Sequence, residues 1–244
     1  MTGAEVALFG IAAVIIGYSK TSVGGLAVVA VMIFASVMPA RASTAAILMV
    51  LIVGDLFAIW HYRRNCDVAL IRGLLPGVLP GLVLGSVFLA VVDDTLLKRA
   101  IGALLLAMVL LQLLVNSRRE QIAERAHGRL PALAAGVGSG FATMTANAAG
   151  AVMTLYLVAK QVDKVRFVGT SAWFFFLINC VKVPFSVGLG LLEWTDVWRA
   201  LALAPAVAVG AWLGVHTIRR ISQRGFEVVV LLASAISATV LLLA

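Results

Sequence analysis

Gly17-Tyr18-Ser19-Lys20-Thr21-Ser22-Val23-Gly24-Gly25 interrupts an apolar run that extends from residue 3 to residue 38. Glycines, hydroxyls and a lysine inside sequence of that hydrophobicity read as a break in a membrane helix. Non-helical backbone is tolerated at membrane depth only where protein or a cavity shelters it. A second stretch has the same character. Within residues 130–159, Gly136, Gly138 and Gly140 precede Thr143-Met144-Thr145-Ala146-Asn147-Ala148-Ala149-Gly150. Each arm beside a break has about 11 to 16 residues, roughly 16 to 24 Å if helical. Such arms are too short to cross a bilayer comfortably. Each broken region is therefore either one long kinked span or a hairpin that enters and leaves by one face.

Around these breaks lie six apolar segments long enough to cross, at residues 43–61, 73–92, 97–115, 168–189, 197–218 and 226–243. The 244 residues are 62% hydrophobic and only 12% charged, against about 25% in a soluble domain. The class is an all-α membrane protein, with too little polar sequence for a separate soluble domain. The net charge of +8 resides mostly in short loops, so topology explains it better than nucleic acid does. Cys66 and Cys180 form no disulfide framework or metal-ligand spacing, and His61, His127 and His216 support no metal site. HExxH, GxSxG and P-loop patterns are missing, so no enzyme activity and no cofactor are expected. The first apolar stretch lacks a basic n-region and a cleavage site and is expected to belong to the mature fold.

Charge arbitrates the topology. If all eight regions cross once, the basic loop residues divide evenly. If the second broken region returns to its own side, thirteen face one side, including Arg63, Arg64, Arg72, Arg129, Lys164, Arg166, Arg219 and Arg220. Four face the other: Arg41, Lys98, Arg99 and Arg199. That bias places the 63–72 loop and the 116–130 linker in the cytoplasm and the C-terminus outside. The count does not decide the first broken region. Symmetry suggests that it re-enters too, leaving the N-terminus outside. Gly24-Gly25, Ser43-Thr44 and Gly81-x-x-x-Gly85 recur as Ala149-Gly150, Thr170-Ser171 and Gly210-x-x-x-Gly214, at offsets close to 127 residues. The expected organisation is a first repeat at 1–115, a linker at 116–130 and a second repeat at 131–244. Each repeat is one broken region plus three spans, an inverted arrangement common in secondary transporters.

Several residues are candidates for chemistry. Lys20, Thr21, Ser22, Gly24 and Gly25 precede an apolar helix, where hydroxyls cap and glycine admits a ligand to a positive helix N-terminus. The alternative is a Lys20 that snorkels to the interface. The second break offers Thr143, Thr145, Asn147 and Gly150 as neutral hydrogen-bonding groups, or simply as small packing residues. Asp55 and Lys182 each lie eleven residues beyond a hydroxyl pair. An ionised group at mid-membrane costs on the order of 3 kcal/mol, so this pair either lines a pathway or locks the packing as an ion pair. Asn179 is one helical turn before Lys182. The two GxxxG motifs are close-packing signals. Pro76, Pro80, Pro184 and Pro205 lie near or within spans. Trp60 with Tyr62, and Trp194 with Trp198, fit interfacial belts, and Asp93-Asp94-Thr95 fits a helix cap.

The order of a glycine-rich broken helix (17–25), Ala42-Ser43-Thr44, Tyr62-Arg63-Arg64 and Gly81–Gly85, followed by Gly136–Gly150, Gly169-Thr170-Ser171 and Gly210–Gly214, resembles the TauE/SafE sulfite exporter family. The resemblance implies movement of sulfite, sulfonates or related organosulfur anions across a bacterial inner membrane. On this reading Lys20 and Lys182 supply charge. Ser22, Thr44, Asn147, Thr170, Ser171 and Asn179 supply hydrogen bonds, and Asp55 couples protonation to occupancy or holds Lys182. Expected partners are the bilayer, a small anion and a coupling proton or ion. Self-association as a homo-oligomer stays open. An anion channel and a non-transporting scaffold or assembly factor are the alternative functions.

Overall fold

The computed structural model describes residues 3–22, 26–93 and 128–222, with single positions 96, 100, 103 and 225. Among the described residues there are eight α-helices and no strand. They are α1 (Gly3–Thr21), α2 (Ala27–Val37), α3 (Ala40–Tyr62), α4 (Val68–Val91), α5 (Arg129–Ala146), α6 (Ala149–Ala159), α7 (Lys164–Gly188) and α8 (Trp194–Arg220), with one 3-10 turn at Arg63–Asn65. Five of the described segments are long and apolar enough to cross a membrane: Gly3–Thr21, Ala42–Asn65, Val68–Val91, Lys164–Gly188 and Trp194–Arg220. The expected spans 97–115 and 226–243, apart from isolated positions, lie outside the described residues. So do most of the linker and Gly24 and Gly25.

Both broken regions are helical hairpins. α2 folds back along α1, so that the Phe9 and Phe34 rings meet at 4.7 Å. α6 folds back on α5, bringing Val152 against Gly138. The breaks are shorter than expected, and this corrects the sequence reading. α1 runs unbroken through Gly17 to Thr21, and α5 runs through Gly136, Gly138 and Gly140 to Ala146. Their 19 and 18 residues exceed the expected arm lengths, whereas α2 and α6 have 11 each. Gly17, Gly136 and Gly140 serve packing instead. A Cβ on Gly17 would strike the carbonyl of Val207 in α8. A Cβ on Gly136 or Gly140 would strike carbonyls of α4.

The GxxxG motifs lie on the other side of the same contacts. Gly210 and Gly214 of α8 abut Val14, Tyr18 and Thr21 of α1, while Gly81 and Gly85 of α4 abut Val137, Gly140 and Met144 of α5. Contacting positions advance together along both partners, so each pair is parallel. α1 and α5 begin at opposite ends of the molecule. α3 and α7 pack against each other between these pairs. All four prolines named above except Pro184 lie in α4 or α8; Pro184 lies in α7, and all are inside their helices.

One end of the molecule collects basic residues. The backbone of Asn65 touches Gly169, Lys164 Nζ donates to the carbonyls of Ile218 and Ile221, His61 meets Arg219 at 3.2 Å, and Arg72 shares a groove with Arg129. The α5–α6 hairpin starts and finishes at this end. Arg199 sits at the opposite end, paired with Asp196 and over the Phe9 ring. Trp60 and the pair Trp194 and Trp198 are exposed at opposite ends, as belts require. Tyr62 is not part of a belt. It is buried and donates to the carbonyl of Thr21, which closes the end of α1. Asp67 caps α4 by accepting from Ala69 and Leu70, Asp163 caps α7 by accepting from Val165 and Arg166, and Asp93 of the expected 93–95 cap accepts from Leu96.

Candidate functional site

The two hairpin tips converge on a cavity of about 40 Å³, several times the space one water requires. Its polar wall includes Ser19, Lys20, Ser22, Thr143, Asn147, Ser171 and Asn179. Its apolar wall includes Leu51, Phe167, Val168 and Phe175. Ala27, which opens α2, and Ala149 and Gly150, which open α6, also line it. Neither helix carries a side-chain cap on its N-cap residue. Ser19 Oγ reaches across from α1 to accept from Ala27 N at 3.0 Å. Two helix N-termini therefore present first-turn N–H groups and partial positive charge to the same space.

Lys20 occupies the last turn of α1 rather than a loop before α2. Its ammonium lies 2.6 Å from Asp55 Oδ1 and 4.5 Å from the centre of the Phe175 ring. The side chain is 7% exposed, so it does not snorkel to the interface. Asp55 is fully buried in α3, and its Oδ2 accepts from Asn179 at 2.7 Å. This corrects the expected Asp55–Lys182 pairing. Lys182 is also buried, but its ammonium donates to the carbonyl of Thr143 at 2.6 Å and to Asn147 Oδ1 at 2.7 Å. The cause is the late end of α1. Continuing the helix to Thr21 carries Lys20 to Asp55, and Lys182 is left to neutralise the negative end of α5.

Asn147 joins these features. It stands in the left-handed region at φ 51, which asparagine tolerates better than most residues. Its N–H bonds Thr143 O, and Ala148 N bonds Ala142 O, ending α5 in a closed turn. Its amide donates to Thr44 O at 3.1 Å while its oxygen holds Lys182. Lys20 and Asn147 are 127 residues apart, as are Asp55 and Lys182 and also Thr44 and Ser171.

The remaining candidates divide. Ser171 is 8% exposed, and its hydroxyl has no hydrogen-bond partner among the described residues although it borders the cavity. Thr170 serves the fold: its hydroxyl accepts from Asp67 N at 2.9 Å. Thr21 also serves packing, donating to Gly17 O at 3.0 Å and to Ala211 O at 2.9 Å. Ser22 lines the cavity but donates backwards to Tyr18 O at 2.6 Å, so neither residue caps α2. Thr44 enters through its carbonyl. Nothing in the sequence singles out Ser19, Phe167 and Phe175 as site residues. The Trp173-Phe174-Phe175-Phe176 run was the available signal for an aromatic wall.

A family model described as sulfite exporter TauE/SafE matches residues 9–241. No curated protein and no solved structure matches the chain. The match spans nearly all of the sequence, so the chain belongs to the TauE/SafE sulfite exporter family, a family of membrane transporters.

Proposed function

We propose that this chain is a secondary transporter of a small sulfur oxyanion in a bacterial inner membrane, with sulfite, a sulfonate or a related organosulfur anion as substrate. One observation carries the reading. The openings of α2 and α6, the Lys20 ammonium and the Ser171 hydroxyl, unpartnered among the described residues, all border one cavity. Each group favours an anion, and helix N-termini with a lysine beside them form a known type of anion site. Asn147 and Asn179 add polar groups to the wall, and Asp55 holds Lys20 in place.

The mechanism proposed is alternating access by two inverted repeats, 1–115 and 131–244, about the linker. Supporting it are the opposed starting ends of α1 and α5, the matching parallel pairs α1–α8 and α4–α5, and the recurrent offset of 127 residues. The basic end is the cytoplasmic one by the positive-inside rule. That leaves the N-terminus outside, and the C-terminus too if 226–243 crosses once. Proteoliposomes containing the full chain should take up radiolabelled sulfite or a sulfonate saturably. Flux that rises without saturation would make the protein a channel. Absence of both flux and binding of these anions would refute the reading.

A further inference from the structure

Three ionisable side chains are buried together around the cavity: Lys20, Asp55 and Lys182. Lys20 and Asp55 cancel each other. Among the described residues Lys182 has no carboxylate partner, and the groups it bonds, Thr143 and Asn147, are themselves wall residues of the cavity. With Lys182 protonated, the described charged residues of the site therefore sum to one positive charge. The other buried carboxylate, Asp196, belongs to the far end and is paired with Arg199. An uncompensated unit charge in a low-dielectric interior is costly, and one negative charge from a ligand removes it. A dianion would instead leave the site with one excess negative charge.

Resting on the reading of this cavity as the substrate site, we infer that it selects a monoanion carrying a short apolar substituent, a small alkanesulfonate, over dianions. The lining supplies both kinds of contact. Lys20, Ser171 and the opening turn of α6 suit the head group, and Leu51, Val168 and Phe175 suit a hydrocarbon. Sulfite itself binds as hydrogensulfite, so its affinity falls as pH rises through its second ionisation.

The test is titration calorimetry on the purified full-length protein with methanesulfonate and sulfate at matched ionic strength. Methanesulfonate is expected to bind on the order of a hundredfold more tightly. Sulfate binding as tightly or tighter overturns this inference and leaves the proposed anion transport standing. Binding of neither refutes the site reading beneath it. Asp55→Asn raises the site to two positive charges and should narrow or reverse the preference. The double variant Lys20→Gln/Asp55→Asn restores one positive charge and should recover it. A ratio that ignores both changes in folded protein also overturns the inference.

Discussion

Lys20 and Lys182 are both buried cations at the inner end of the long arm of a hairpin, yet they are held by opposite means. Lys20 sits in α1 itself and faces a carboxylate. Lys182 reaches from α7 to the end of α5 and meets only a carbonyl and an amide oxygen. Lys20 borders the cavity directly, while Lys182 acts behind its wall through Asn147. The difference separates a group that meets a ligand from one that positions the group that does. It also separates the consequences of removing each.

The comparison breaks most easily at Lys20. Lys20→Met leaves Asp55 ionised or protonated with no cation beside it, and stability should fall by about 3–5 kcal/mol. Thermal melting in detergent reads this, and adding Asp55→Asn should restore most of the loss while methanesulfonate affinity stays below wild type. Lys182→Met should cost less, about 2 kcal/mol, because it strands two neutral acceptors rather than a carboxylate. Binding should still weaken as Asn147 loses its anchor. A Lys182→Met loss equal to that of Lys20→Met would erase the distinction. The smallest effect should come from Ser171→Ala. Its hydroxyl makes no hydrogen bond among the described residues, so melting should stay within about 0.5 kcal/mol of wild type while affinity for methanesulfonate drops about three- to tenfold. Loss of stability without loss of affinity would move Ser171 out of the site.

The sequence already marked the two breaks, the three charges in apolar sequence and the GxxxG packing motifs, while leaving open whether the first break is a hairpin and whether Lys20 is buried. It misplaced the breaks for a physical reason. Glycine in a membrane helix signals either an interruption or an approach of backbones, and composition alone does not separate these. Gly17, Gly136 and Gly140 are approaches, and the carbonyls of α4 and α8 fill the space their side chains would take. The error of one helical turn at Lys20 was enough to exchange ion-pair partners. Asn147 was legible as a polar residue in a break but not as the turn that joins Thr44 to Lys182, because that role depends on where α5 stops. Ser171 and Thr170 are adjacent hydroxyls. Only the docking of Asp67 on Thr170 tells them apart.

The helix exchange also bears on how the polypeptide is assembled. Among the described residues the glycine-lined face of α1 packs on α8, and that of α5 on α4. A gene cut in the linker would yield two polypeptides, each exposing a backbone stripe shaped for the other. Coexpressed, they should find one another in the bilayer and rebuild the transporter; made singly, each would be a substrate for membrane proteases.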